Sequence, residues 1–89
     1  MSTTKNKIDS ILLKLETAKD VKGWFLDEQG NKENDIEVFD WDHTANDEEG
    51  IPDIVVQGNR ATIFYDELCN ATQCGNTINI ANRYVLEII

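Results

Sequence analysis

The stretch Thr77-Ile78-Asn79-Ile80-Ala81-Asn82-Arg83-Tyr84-Val85-Leu86-Glu87-Ile88-Ile89 holds Ile78, Ile80, Tyr84, Leu86 and Ile88 all at even positions. Side chains alternate between faces along a strand, so this period sets five apolar groups on one side of a sheet. Two conformations keep them there. Residues 77–89 form one long strand, or a three-residue loop at Ala81-Asn82-Arg83 joins two short ones. A two-residue loop at Asn82-Arg83 would set Ile78 against Glu87 instead. Strands usually run about 3–10 residues, which favours the three-residue loop. In either case one face is apolar and the other mixed, the pattern of an antiparallel sheet covered on one side.

A cover for that face lies at the other end of the chain. Ile8, Ile11, Leu12 and Leu15 fall at i, i+3, i+4 and i+7, and Ala18 continues the stripe. This is helical spacing, and it predicts an amphipathic helix from about residue 4 to 20. Thr3 or Thr4 can cap its start, Lys14, Lys19 and Lys22 suit the negative end of its dipole, and Gly23 lies beyond its stop.

Between helix and C-terminus the chain reads as strands. Asp53–Gln57 and Arg60–Tyr65 flank Gly58-Asn59, a two-residue hairpin signal. That turn pairs Ile54 with Ile63 and Val56 with Ala61, and puts Ile54, Val56, Ile63 and Tyr65 on one face. Val21–Leu26 and Ile36–Trp41 read as strands around the polar turn Asp27–Lys32. On the second of these, Glu37 alternates with Ile36 and Val38, so acids should face out. Residues 42–50 lack an apolar period and read as a loop, and a short helical turn fits between Asp66 and Asn76. Most of the seven aromatic residues fall within strand patterns and should pack inside. The expected fold is α+β: one N-terminal amphipathic helix packed on an antiparallel sheet of about four to six strands, built from hairpins, as a single domain over residues 1–89. An exposed edge at Ile88-Ile89 could pair two copies by strand addition.

At 89 residues such a domain buries only about 60–65% of the surface its unfolded chain exposes. The apolar fraction of 40% is ordinary for a globular protein. No window reaches the roughly 18–20 apolar residues that cross a membrane, and the charged start Met1–Lys7 is no signal-peptide core. The chain therefore reads as cytoplasmic and unprocessed. Cys69 and Cys74 are the only cysteines, and they read as free thiols in a reducing compartment.

Charge is concentrated. Residues 27–53 hold eleven carboxylates against Lys32 alone, a formal −10 beside −9 for the whole chain. With a Debye length of about 8 Å, such neighbours repel one another. Solubility alone would not require that concentration, which points to a surface that meets Lys and Arg. A solvated acidic loop is the plainer alternative.

Catalytic patterns are missing from the sequence. The only serines are Ser2 and Ser10, without a nucleophile elbow, and no Gly-rich phosphate loop occurs. His43 is the sole histidine and sits among acids. Asp40, Asp42 and Thr44 alternate like the first ligands of a calcium loop, but Ala45 stands where the turn needs Gly and Ile51 where a bidentate Glu belongs. Neither an enzyme nor a cofactor or dedicated metal site is expected, although Asp47, Glu48 and Glu49 leave a looser Ca²⁺ or Mg²⁺ site conceivable. Basic residues are too few and scattered to hold nucleic acid directly.

The expected function is therefore an acidic binding or inhibitor protein that engages a basic, nucleic-acid-binding partner. Carboxylates can stand in for phosphates and pair with Arg forks. Glu33, Asp35, Glu37, Asp40, Asp42, Asp47, Glu48 and Glu49 are the candidate contacts, with Trp41 as an aromatic anchor. In size and charge the chain resembles phage-encoded inhibitors that mimic DNA against CRISPR effectors or restriction enzymes, and also immunity proteins against basic nuclease toxins. The resemblance is one of class, carried by no motif. The alternatives are a divalent-cation-binding domain and a purely structural one.

Overall fold

The computed structural model describes residues 3–89. Helix α1 (Thr3–Thr17) leads into ten strands: β1 (Val21–Leu26), β2 (Lys32–Ile36), β3 (Val38–Trp41), β4 (Asp47–Glu48), β5 (Ile51–Pro52), β6 (Ile54–Gly58), β7 (Thr62–Phe64), β8 (Ala71–Cys74), β9 (Thr77–Ile80) and β10 (Tyr84–Ile88). A 3-10 helix, Tyr65–Asn70, precedes β8. The strands form an antiparallel five-stranded sheet ordered β2-β1-β10-β9-β8, a three-stranded sheet β3-β6-β7 and a two-stranded ribbon β4-β5. The α+β class holds, with more strands than the four to six expected. Among the described residues no helix is long and apolar enough to cross a membrane.

The C-terminal residues form the hairpin with the three-residue loop. Tyr84 pairs with Ile80 and Leu86 with Ile78, and all five even-numbered apolar residues are buried. Ala81 and Asn82 turn the chain at φ 55° and 56°, and Asn79 Oδ1 accepts the Asn82 N–H at 2.8 Å. Strand β10 then lies between β9 and β1, at the centre of the larger sheet. Ile88-Ile89 is consequently no free edge. Ile88 pairs with Val21, and Ile89 exchanges backbone hydrogen bonds with Lys19 and Asp20.

Helix α1 buries Ile8, Ile11 and Leu15 in one cluster with Val21, Ile78, Ile80, Leu86 and the inner residues of the smaller sheet, while Leu12 and Ala18 pack against its margin. Burying each such side chain is worth about 1.5–3 kcal/mol, enough to hold a helix whose intrinsic propensity is modest. The helix ends three residues before the expected stop, because the backbone of residues 19 and 20 is taken by Ile89. Of the three lysines expected to favour its C-terminal end, only Lys14 lies in the last turn. The expected capping by Thr3 or Thr4 falls on side chains outside those described.

Three expectations need correction. The polar turn expected over Asp27–Lys32 ends one residue sooner: Lys32 already opens β2, which pairs with β1 around a loop in which Asp27 Oδ1 accepts the N–H groups of Gln29 and Asn31. The expected strand 36–41 is broken at Glu37, where the chain leaves the larger sheet for the smaller one. Glu37 N–H donates to Asn59 Oδ1 at 2.9 Å, and Asn59 N–H donates back to the Glu37 carbonyl at 3.0 Å. The hairpin near residue 58 turns at Asn59-Arg60, pairing Val56 with Ile63 and Gln57 with Thr62. An irregularity at Val55 buries both Val55 and Val56 and rotates Ile54 outwards. Gly58 is not a turn glycine at all. A Cβ there would collide with Ile36 Cγ2 and lie 3.0 Å from the Glu37 carbonyl oxygen.

Candidate partner-binding surface

Strand β2 is the outermost strand of the larger sheet, and β3 is the outermost strand of the smaller one. Glu37 joins them, so residues 32–41 run continuously along one edge of both sheets. At about 3.3 Å per residue, less the bend, this seam is on the order of 30 Å long. It carries Glu33, Asp35, Glu37 and Asp40, all exposed. The acids do not form a ruled line, since the pairing of β2 with β1 shifts register between Trp24 and Leu26.

Beyond the seam, residues 42–53 turn back through the β4-β5 ribbon. Asp42 is engaged with its own loop: its Oδ1 accepts the Thr44 hydroxyl at 2.6 Å and the Thr44 N–H at 2.8 Å. Those two hydrogen bonds, the hydroxyl's first, hold its carboxyl below the usual carboxylate range, with a smaller contribution from His43. Asp53 similarly accepts the Asn46 N–H at 3.2 Å. Asp42 is thus less available to a partner than its position in the sequence implied. The stretch expected to be loop contains the ribbon because Glu49 and Gly50 both adopt positive φ, 57° and 76°, as a tight hairpin turn requires. Asp47, Glu48 and Glu49 are carried outward on it, exposed.

Glutamate at positive φ is strained. Glu49→Asn should raise stability by about 0.5–1 kcal/mol, a few degrees in a thermal melt. Glu48→Gln removes the same charge without the backbone change and serves as the control. Equal effects from the two would assign the gain to charge alone.

Among the described residues one ion pair forms, Lys32 Nζ to Asp35 Oδ1 at 3.0 Å. The remaining exposed acids of the seam and ribbon have no cationic partner there. No three His, Cys, Asp or Glu side chains among the described residues come together as a metal site would require. Cys69 and Cys74 are exposed free thiols.

The chain matches no family model, no curated protein and no solved structure.

The aromatic residues differ from expectation. Trp41 is half-buried, its ring packs on the core and its indole N–H donates to the Leu15 carbonyl at 3.1 Å. Its polar end is committed to α1. Phe39, in the same seam, is 60% exposed, and Ile54 and Phe64, paired on the neighbouring strands of the same sheet, are 42% and 39% exposed. Phe39 is the exposed aromatic that alternation concealed, because the register of β3 against β6 shifts between Val38 and Asp40. Trp24 is half-buried on the open face of the larger sheet, opposite Asp35.

Proposed function

We propose that this chain is an acidic binding protein that occupies the nucleic-acid groove of a basic protein partner, with the seam of residues 32–41 and the ribbon at 47–49 as its contact surface. One observation supports this above all. The acidic segment edges both sheets, and its exposed carboxylates are left almost without cations of their own. A Lys- and Arg-rich groove supplies what the isolated molecule lacks, and opposite fields speed the encounter. Phe39 adds apolar contact within the charged field. Inhibition of a CRISPR effector or a restriction enzyme is the finer form of this reading, and neutralisation of a basic nuclease toxin is its alternative.

A second reading has an observation of its own. Charged edge strands also prevent sheets from pairing with other chains, and β2 and β3 are both edges. One variant separates the two: Glu33→Gln, Glu37→Gln, Asp40→Asn and Glu48→Gln together, which leaves Asp42 in its turn. In pull-downs from host lysate, wild type should recover a basic nucleic-acid enzyme in a salt-sensitive way, and the variant should lose it while staying folded and monomeric. A variant that self-associates yet keeps the same partner would sink the proposal in favour of edge protection. The enzyme recovered decides between the finer forms.

A further inference from the structure

Lys32 is the only cation within residues 27–53, and it does not sit at random among the acids. Its Nζ lies 4.8 Å from the centroid of the Trp24 ring and 3.0 Å from Asp35 Oδ1. Trp24 and Asp35 face each other across β1 and β2 on the uncovered side of the larger sheet. They line an open basin of about 440 Å³ with Lys22, Lys32 and Glu87. Lys22 stands directly opposite Glu87 on β10, so the charges at that end of the basin offset one another. The carboxylate left to serve a ligand is Asp35, beside an indole face.

An aromatic face beside a carboxylate attracts a cation twice, through the ring quadrupole and through the ion pair. Lys32 already demonstrates the chemistry from within the chain. Its ammonium reaches both partners, but as a compact charge on a flexible stem. A guanidinium is planar, stacks on indole and offers a fork of donors to a carboxylate. The Lys32–Asp35 contact is exposed on both sides, 56% and 77%, and exposed pairs of this kind are weakly held.

We infer that Trp24 and Asp35 form a seat for an arginine side chain of the partner, and that Lys32 is a built-in occupant which the arginine displaces. The inference deepens the proposed function and rests on it. It adds a defined chemical contact on a face of the larger sheet that charge counting alone does not single out. It also gives Lys32 a role opposite to that of an ordinary surface lysine, since its removal should improve binding.

The test uses the full chain and two peptides, hexa-arginine and hexa-lysine, followed by the Trp24 indole N–H resonance, which a Trp24→Phe sample assigns. Hexa-arginine should shift that resonance saturably, and more tightly than hexa-lysine. Lys32→Ala should tighten hexa-arginine binding by about two- to fivefold, the scale of an exposed cation–aromatic contact. Lys19→Ala makes the same change in net charge outside the basin and should have much less effect. Asp35→Asn should weaken binding by a similar factor. Equal tightening by Lys32→Ala and Lys19→Ala would reduce the effect to net charge and overturn the seat. So would hexa-arginine binding that leaves the Trp24 resonance unmoved, an outcome that keeps the acidic-surface reading alive. Absence of any hexa-arginine binding at low salt would remove both. Lys32 and Asp35 are exposed, so these variants do not depend on the core, and circular dichroism checks that each is folded.

Discussion

Leu86→Ala should lower stability by about 2–5 kcal/mol and the melting temperature by about 10–25 °C. Leu86 is fully buried in the middle of β10, between Ile78 on one neighbour and Gly23 on the other. A domain of this size has roughly 4–13 kcal/mol in total, so one truncation removes a large share of it. Gly23 makes the site informative. A Cβ on Gly23 would stand 3.3 Å from Leu86 Cδ2 and 3.4 Å from Ile36 Cβ, which is tight but not prohibitive. Gly23→Ala alone should therefore cost stability modestly, whereas added to Leu86→Ala it should recover part of the loss by filling the void. Urea denaturation of the two single variants and the double variant measures that coupling. Simple additivity would mean that the two side chains do not share one space.

Gly58→Ala should also be strongly destabilising, by about 2–3 kcal/mol. The reason is room rather than backbone freedom. Gly58 has no positive φ, and its missing side chain is what lets Ile36 and the Glu37 carbonyl approach at the corner between the sheets. Two outcomes distinguish this from a turn requirement. Asparagine, which tolerates turn conformations well, should be at least as damaging as alanine. Ile36→Ala should offset part of the Gly58→Ala loss, since it deletes the Cγ2 that the new Cβ would strike. Rescue by asparagine would show that Gly58 is needed for the turn after all.

The same glycine explains where the sequence misleads. Gly58-Asn59 is a strong hairpin signal, and it set the loop one residue too early, because a glycine demanded by a distant packing contact looks identical to one demanded by a turn. Val55 compounds the error: consecutive valines read as alternating faces until an irregularity buries both. The C-terminal hairpin and α1 were legible for the opposite reason, since their apolar periods coincide with what the core requires. Lys32-Glu33-Asn34-Asp35 offered no apolar residue to mark β2, and only backbone pairing with β1 makes it a strand. For the contact surface, composition located the carboxylates but not their commitments. Asp27, Asp42 and Asp53 accept hydrogen bonds from the protein's own backbone, which side-chain identity alone does not reveal. Nor could alternation tell that Trp41 turns inward while Phe39 turns out.

The position of β10 has a consequence for the order in which the molecule can be made. The strand at the centre of the larger sheet is the last of the described strands in sequence order, and among the described residues Val21 pairs with Ile88, 67 positions later. During synthesis at about 5–20 residues per second, β1 and β2 must wait several seconds with one flank of β1 open. Contacts so distant in sequence also close slowly. Once residues 37–53 have followed, the adjoining chain carries all eleven acids of the segment, so two nascent copies repel each other while their sheets are still incomplete. By repulsion alone, the acidic seam should hold such incomplete sheets apart until β10 is in place.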